Sequence, residues 1–302
     1  MNGRVFSRAD ELAAGKSGYD IDRLLDQQRW LRLRSGIYCT SSAYASAADE
    51  RAQHRFLVAA ALQCLVAPAV ASMWSAALLH GLPVPRARDR DVCVTREVSR
   101  PRRYPHLRVR VAGLPPDHVT RVDGVPVTTA ARTVVDLARR LPFIDAVVVA
   151  DASLYLRCTT RDELLAVLDR CRQWPGVNRA RDVVAFADGG AESPLESRSR
   201  VRLVHELGLP PPELNVWIPD AEGRPLARVD MLWRRHRTIG EADGAVRYGE
   251  DEPASLFLEK IREDTLRGLR YEVVRWTWWD VEKTPRGVVG WVERAFARGA
   301  AP

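Results

Sequence analysis

At 302 residues the chain exceeds what one hydrophobic core usually spans, so two or three domains are expected. With 46% hydrophobic and 28% charged residues, the composition excludes both a disordered chain and a membrane protein. The formal charge is +7, and the whole excess falls between residues 51 and 190, as a polyanion-facing surface or a solvated basic face would place it.

Lys16, Lys260 and Lys283 are the only lysines among 46 basic residues, so the abundance of arginine carries little weight by itself. The five cysteines form no CxxC pair, and no His/Cys group has zinc spacing. The start, MNGRVFSRADELAAG, has no apolar run that would route the chain to secretion. Residues 56–83 are apolar but alanine-rich, with Gln63 inside and Pro68 dividing them, which predicts two buried helices around a turn rather than a span. The expectation is a soluble, reduced, cytoplasmic chain with no membrane partner.

Ser7 with Asp10 is a capping-box start, and Gly15 is a stop, predicting a helix over about 8–14. A second helix from near Ser17 puts Ile21, Leu24 and Leu25 on one apolar face. RWLRLRSGIYC, residues 29–39, alternates and turns at Ser35-Gly36 as a hairpin. Helix, turn, helix and hairpin within some 40 residues is the layout of a winged helix. The phrases SRADELAAGKS and WLRLRSGIY resemble the N-terminal domain of AbiEi-family antitoxins, which implies a transcriptional autoregulator of a type IV toxin–antitoxin pair, with DNA and a cognate toxin as partners. The second helix carries Asp20, Asp22 and Asp26 against Arg23, a face that phosphates repel, so contacts are expected from the wing at Arg29, Arg32 and Arg34. The other reading is a small packing domain.

In the middle segment, strands are expected near 92–95 and 107–112, and a turn at Asp123-Gly124. Helices follow over 130–140 (capped by Thr128 or Thr129), 161–171 and 176–187. Residues 86–110 hold nine arginines against Asp89, Asp91 and Glu97. On strands such a ridge can track a phosphate backbone, with Arg100, Arg102 and Arg103 as candidate contacts, or it can be ordinary edge protection. No P-loop, GxGxxG, HExxH or GxSxG occurs, which removes the common nucleotide, zincin and hydrolase readings.

The last segment opens with a helix at Ser193-Pro194, running to about Leu207, with Glu196 in its first turn. Strands are expected over 215–218, 226–233 and 238–243. If Arg235 and His236 form a two-residue turn, Asp230 stands opposite Glu241, and alternation puts Asp243 on the same face. Like charges so placed repel unless a cation intervenes, and oxygen ligands alone suit Mg²⁺ or Mn²⁺. Trp276, Trp278 and Trp279, at a strand–helix junction, read as core before they read as base-stacking residues.

The stretches SPLESRSRVRLVHELGLPPPELN, ARVDMLW, GEADGAVRY and EKIREDTLRGLRYEVVRWTWWDV resemble a family of uncharacterised actinobacterial proteins whose C-terminal domain is similar to very-short-patch-repair (Vsr) endonucleases. That resemblance implies a PD-(D/E)XK nuclease fold with Glu196, Asp230 and Glu241 as metal ligands, beside Asp243 from the spacing. Asp243 stands where the motif has its lysine, so Lys260 is the candidate catalytic cation, with Arg247 and Arg262 as alternatives. Buried ion pairs such as Asp230–Arg247 or Glu241–Lys260 in an inactive scaffold are the other reading. The expected fold class is multi-domain α/β: a reduced winged helix-turn-helix (1–45), a basic α/β connector (46–190) and a restriction-endonuclease-like mixed-sheet domain (191–302). Two functions remain open. One is a DNA-directed, Mg²⁺-dependent endonuclease, with Asp230, Glu241 and Lys260 as catalytic residues. The other is a non-catalytic AbiEi-type antitoxin and transcriptional regulator that keeps the nuclease fold only for binding.

Overall fold

The computed structural model describes residues 5–65, 67–84, 91–97, 103–220, 222–244 and 253–299, with backbone alone at 103 and 253–260. The fold is mixed α/β and divides into two compact units, residues 1–141 with 158–181 and residues 142–157 with 182–302.

The first unit begins with β1 (Phe6–Ser7), α1 (Arg8–Ala13), α2 (Gly18–Asp26), β2 (Trp30–Arg34) and β3 (Ile37–Thr40). Ser7 and Ser17 each open a helix through a reciprocal capping box, with Asp10 and Asp20, so both helices start where their caps predict. The strands pair in the order β1-β3-β2. Ile21 is fully buried with Phe6 and Tyr38, and Trp30 lies edge-on to Phe6 at 4.6 Å. Helix, turn, helix and wing are therefore formed around a small aromatic core, and β1 precedes the first helix.

After α3 (Ser41–Ala45), the apolar stretch becomes α4 (Glu50–Gln63), β4 (Val70–Ala71) and α5 (Met73–Leu79). Among the described residues no helix is long and apolar enough to cross a membrane. Then come β5 (Val92–Arg96), β6 (Arg103–Tyr104), β7 (Leu107–Val111), β8 (Val119–Val122) and β9 (Val125–Thr128), which join β4 in a sheet of order β6-β7-β5-β4-β9-β8. The β8–β9 turn needs positive φ at both central residues, and Asp123 (50°) and Gly124 (80°) supply it. Every residue of α6 (Ala130–Ala138) is buried, Arg132 and Asp136 included. Asp136 accepts from Arg132 Nε at 2.8 Å and from Arg139 Nη1 at 2.9 Å, and both guanidinium groups lie over the Trp174 ring, at 4.4 and 4.9 Å. After α7 (Phe143–Tyr155), which belongs to the second unit, α8 (Arg161–Arg170) starts on a Thr160–Glu163 capping box.

Helix α9 (Val177–Phe186) carries the chain into the second unit. The single helix expected over 193–207 is α10 (Pro194–Arg200) continued by a π-helical turn over 201–206. Two ion pairs tie it to α7: Arg200 Nη1–Asp151 Oδ2 at 2.8 Å, with Asp151 fully buried, and Arg198 Nη1–Asp145 Oδ1 at 2.6 Å. Next come β10 (Glu213–Pro219), β11 (Pro225–Trp233), β12 (Thr238–Ala242), α11 (Pro253–Gly268), β13 (Glu272–Trp276), α12 (Trp278–Lys283) and α13 (Pro285–Gly299). The sheet order is β10-β11-β12-β13, antiparallel except for the β12–β13 pair, which α11 connects as a crossover. Trp276 is core, 1% exposed, and donates from Nε1 to Ser199 Oγ at 2.8 Å. Trp278 and Trp279 are not: they are 39% and 62% exposed.

Candidate functional site

The β11–β12 register is the expected one, although the turn differs. Arg234–His236 form a 3₁₀ turn, Arg237 follows in the left-handed region at φ 44°, and Trp233 pairs with Thr238 and Met231 with Gly240. A four-residue connection thus preserves the pairing that a two-residue turn would set. One step further along the strands, Asp230 Oδ2 accepts from the Ala242 amide at 2.8 Å, which brings its carboxylate beside Glu241. Asp230 is half-buried, and burial above all, followed by the charges of Glu196 and Asp243, pushes its carboxyl up to about 6, against the opposing pull of the Ala242 hydrogen bond. Glu241 is 6% exposed, and burial followed by the Asp230 charge pushes it up to about 7.

The four expected ligands are neighbours, but they do not converge on one ion. Glu241 Oε1 meets Arg262 Nη2 at 3.2 Å, and that guanidinium also donates to the Arg228 carbonyl. Asp243 Oδ2 meets Arg275 Nη1 at 3.3 Å. Glu196 Oε2 accepts from the Glu192 amide at 3.0 Å and from Asn215 Nδ2 at 2.6 Å. Asn215 reaches it from within β10, held at φ 51°, a conformation asparagine tolerates. Guanidinium groups and an amide therefore stand against the oxygens that a metal cage would use. Among the described residues, no group of three or more His, Cys, Asp or Glu side chains is arranged to hold a metal ion.

Of the candidate catalytic cations, Lys260 lies on α11, with its side chain outside the described residues, and Arg247 lies outside them altogether. Arg262, the alternative, is in contact with Glu241. Sequence reasoning missed Asn215 and Arg275. Arg275 had a usable signal, because a charged residue inside a strand calls for a partner, and parallel pairing sets it beside Glu241.

In the first unit, Arg29 and Arg32 are exposed, with the Arg32 guanidinium 6.0 Å from the Tyr38 ring centroid. Arg34 is engaged within the protein instead. Its guanidinium donates to the carbonyls of Pro105 at 3.1 Å and His106 at 2.7 Å, tying the wing to the β6–β7 turn. Desolvation there lowers its pKa. Arg100 and Arg102 lie outside the described residues, and Arg103 is described only as backbone, paired with Arg108. On α2, Asp20 serves as a cap and keeps its charge, and Asp22 faces Arg8 at 3.5 Å, so one of the helix's three carboxylates is offset by a cation.

Comparison with known proteins locates a similarity in the middle of the chain. The uncharacterized proteins Rv2248 (strain H37Rv) and MT2308 (strain CDC 1551) of Mycobacterium tuberculosis are each 32% identical over 178 residues, which is 59% of this chain and 64% of theirs. The chain thus spans less than two thirds of these relatives. The antitoxin likeness suggested by the first 40 residues reappears further along: residues 39–185, which contain the six-stranded sheet and the buried α6, match the AbiEi antitoxin C-terminal domain family.

Proposed function

We propose that this protein is a non-catalytic regulator of the AbiEi antitoxin type, which binds DNA through its helix–turn–helix and wing and neutralises a cognate toxin through the domain that follows. The observation that carries the reading is the match of residues 39–185 to the AbiEi antitoxin C-terminal domain, directly after a helix–turn–helix and wing. The exposed Arg29 and Arg32 supply phosphate contacts on the wing. The test is fluorescence anisotropy of the full chain on DNA from upstream of its own gene and on a scrambled duplex, together with co-expression with the neighbouring gene. Tighter binding to the upstream DNA, weakened in Arg29→Ala/Arg32→Ala, with rescue of growth on co-expression, is the expected result. Equal binding to both duplexes and no rescue would remove the regulator.

A second reading, a DNA-directed endonuclease, is favoured by one observation. Asp230 and Glu241 are held side by side with raised pKa values, a combination that clusters at functional sites. Nicking of supercoiled plasmid by the clean protein with Mn²⁺, lost in Asp230→Asn, would establish it.

A further inference from the structure

The first unit holds a cavity of about 490 Å³ between the β8–β9 hairpin, the start of α6 and one face of α8. Its polar groups divide by what they already bind. The two carboxylates on its wall are taken: Glu163 caps α8, accepting from Thr159 Oγ1 at 2.7 Å and the Thr160 amide at 3.0 Å, and Asp117 pairs with Arg170. His80 spends its Nε2 proton on the Thr128 carbonyl at 2.8 Å, and the donor that remains is His118. His118 is 4% exposed, and its Nδ1 lies 3.0 Å from Arg132 Nη1. A guanidinium has only protons to give, so Nδ1 accepts and the imidazole proton sits on Nε2. Burial first, then the Arg132 charge, lowers the His118 pKa and keeps the ring neutral in that tautomer. Nε2 has no partner among the described residues, and His118 lines the cavity.

Beside it, Ala130 and Ala131 open the nine-residue helix α6, where first-turn amides have no intrahelical acceptor and the helix dipole is positive. At the rim, Arg121 is exposed and gives one Nη1 hydrogen to the Gly124 carbonyl at 2.7 Å, and Arg170 is 57% exposed, paired with Asp117 by part of its guanidinium and with further N–H groups to offer. An N–H donor on a buried imidazole, a helix N-terminus and two rim guanidinium groups complement an anion with several acceptor oxygens.

We propose that this cavity is a binding site for a phosphate group, with His118 Nε2–H and the α6 N-terminus as its floor and Arg121 and Arg170 as its rim. The site is distinct from the carboxylate cluster of the second unit and does not rest on the regulator reading. The cavity volume is in the range of small-molecule sites and larger than a lone phosphate fills, so the group is expected to arrive on a larger molecule such as a nucleoside monophosphate.

The test is calorimetric titration of the full chain with inorganic phosphate, AMP and acetate. Saturable binding of phosphate or AMP, with acetate much weaker, is expected. AMP tighter than phosphate identifies a phosphorylated metabolite, and equal affinity identifies free phosphate; both support the site. Ala166→Trp, which fills the cavity from α8 without touching a donor, should abolish binding. Arg121→Ala/Arg170→Ala should weaken it about tenfold or more. If circular dichroism shows Ala166→Trp unfolded, the rim variant decides alone. No saturable binding by wild type, acetate as tight as phosphate, or unchanged affinity in the folded variants would overturn the proposal.

Discussion

Glu241 shows how a single buried carboxylate ties stability to pH. Its ordinary value is near 4.3, and in the folded chain burial and the Asp230 charge push it up to about 7. The folded state therefore holds a proton that the unfolded chain has released. Stability is lost as pH rises from about 4 to about 7, and does not change further through this group above that window. His54, His80 and His118 act in the opposite sense, because burial lowers their pKa values and the unfolded chain takes up protons first on acidification. A melt of the wild type alone mixes these effects. The difference between Glu241→Gln and wild type isolates one of them, since glutamine keeps an oxygen for Arg262 and cannot ionise. The variant should melt a few degrees higher than wild type at about pH 8 and within a degree or so of it at about pH 5. An unchanged difference across that range would show that Glu241 is ionised throughout. The same cluster predicts the response to metal. With Arg262 against Glu241, Arg275 against Asp243 and Asn215 against Glu196, millimolar Mg²⁺ should leave the melting temperature where it was. A rise that Asp230→Asn abolishes would instead favour the endonuclease.

Helix α6 is buried all round, yet it carries two arginines and an aspartate, counting Arg139 at its C-terminal cap, so its charges must be settled internally. Asp136 neutralises both Arg132 and Arg139, and the Trp174 face receives both cations. Asp136→Ala leaves two buried guanidinium groups without their counter-ion and should destabilise the first unit by ~3–5 kcal/mol, read from urea denaturation followed by tryptophan fluorescence. Asp136→Asn should lie between, since it keeps one acceptor. A loss under about 1 kcal/mol, the size of an exposed pair, would show that water reaches the network. Such elements differ in how far the sequence discloses them. α1, α2 and α8 were legible or nearly so because their caps are local, Ser or Thr followed three residues later by Asp or Glu. The β11–β12 pairing was legible because strand alternation survives a change of turn. Helix α7 was not: FIDAVVVADASLY is apolar on most sides, so no stripe of period 3.6 marks it, and its three consecutive valines read equally well as strand. The placing of the carboxylate cluster was legible, and the groups that face it were not. Alternation set Asp230, Glu241 and Asp243 on one face, but Arg262 reaches Glu241 from α11 and Arg275 reaches Asp243 from β13, while Asn215 on β10 holds Glu196, and no local pattern encodes that reach.

The grouping of the chain in space does not follow its order in sequence. A break near residue 190, the place composition suggests, separates α7 from the unit to which it belongs. Within that unit α7 holds α10 by two ion pairs. Asp151 is fully buried, with its carboxyl pushed up to about 6 by burial even though Arg200 opposes the shift, and Asp145 faces Arg198. Asp151 also accepts from the Asp188 amide at 2.8 Å, which fixes the chain as it leaves α9. The Phe143 ring stacks on His205 at 4.4 Å and meets Phe186 at 5.7 Å, so the apolar surface of α7 is shared with the segments before and after α10. Removing α7 therefore exposes a hydrophobic face and strips Arg200, itself 8% exposed, of its counter-ion. Each of these changes is worth several kcal/mol, against a domain stability of ~5–15 kcal/mol. The fragment 191–302 should accordingly fail to unfold cooperatively, with shallow melting and exposed apolar surface that binds a hydrophobic dye. The fragment 142–302, which restores α7 and the Asp188 connection, should regain a single sharp transition and lose dye binding. Asp151→Ala in that longer fragment should return it part of the way to the behaviour of the short one. Cooperative melting of 191–302 at the same temperature as 142–302 would show that α7 contributes nothing to the second unit, and that the compositional break near residue 190 is the true boundary.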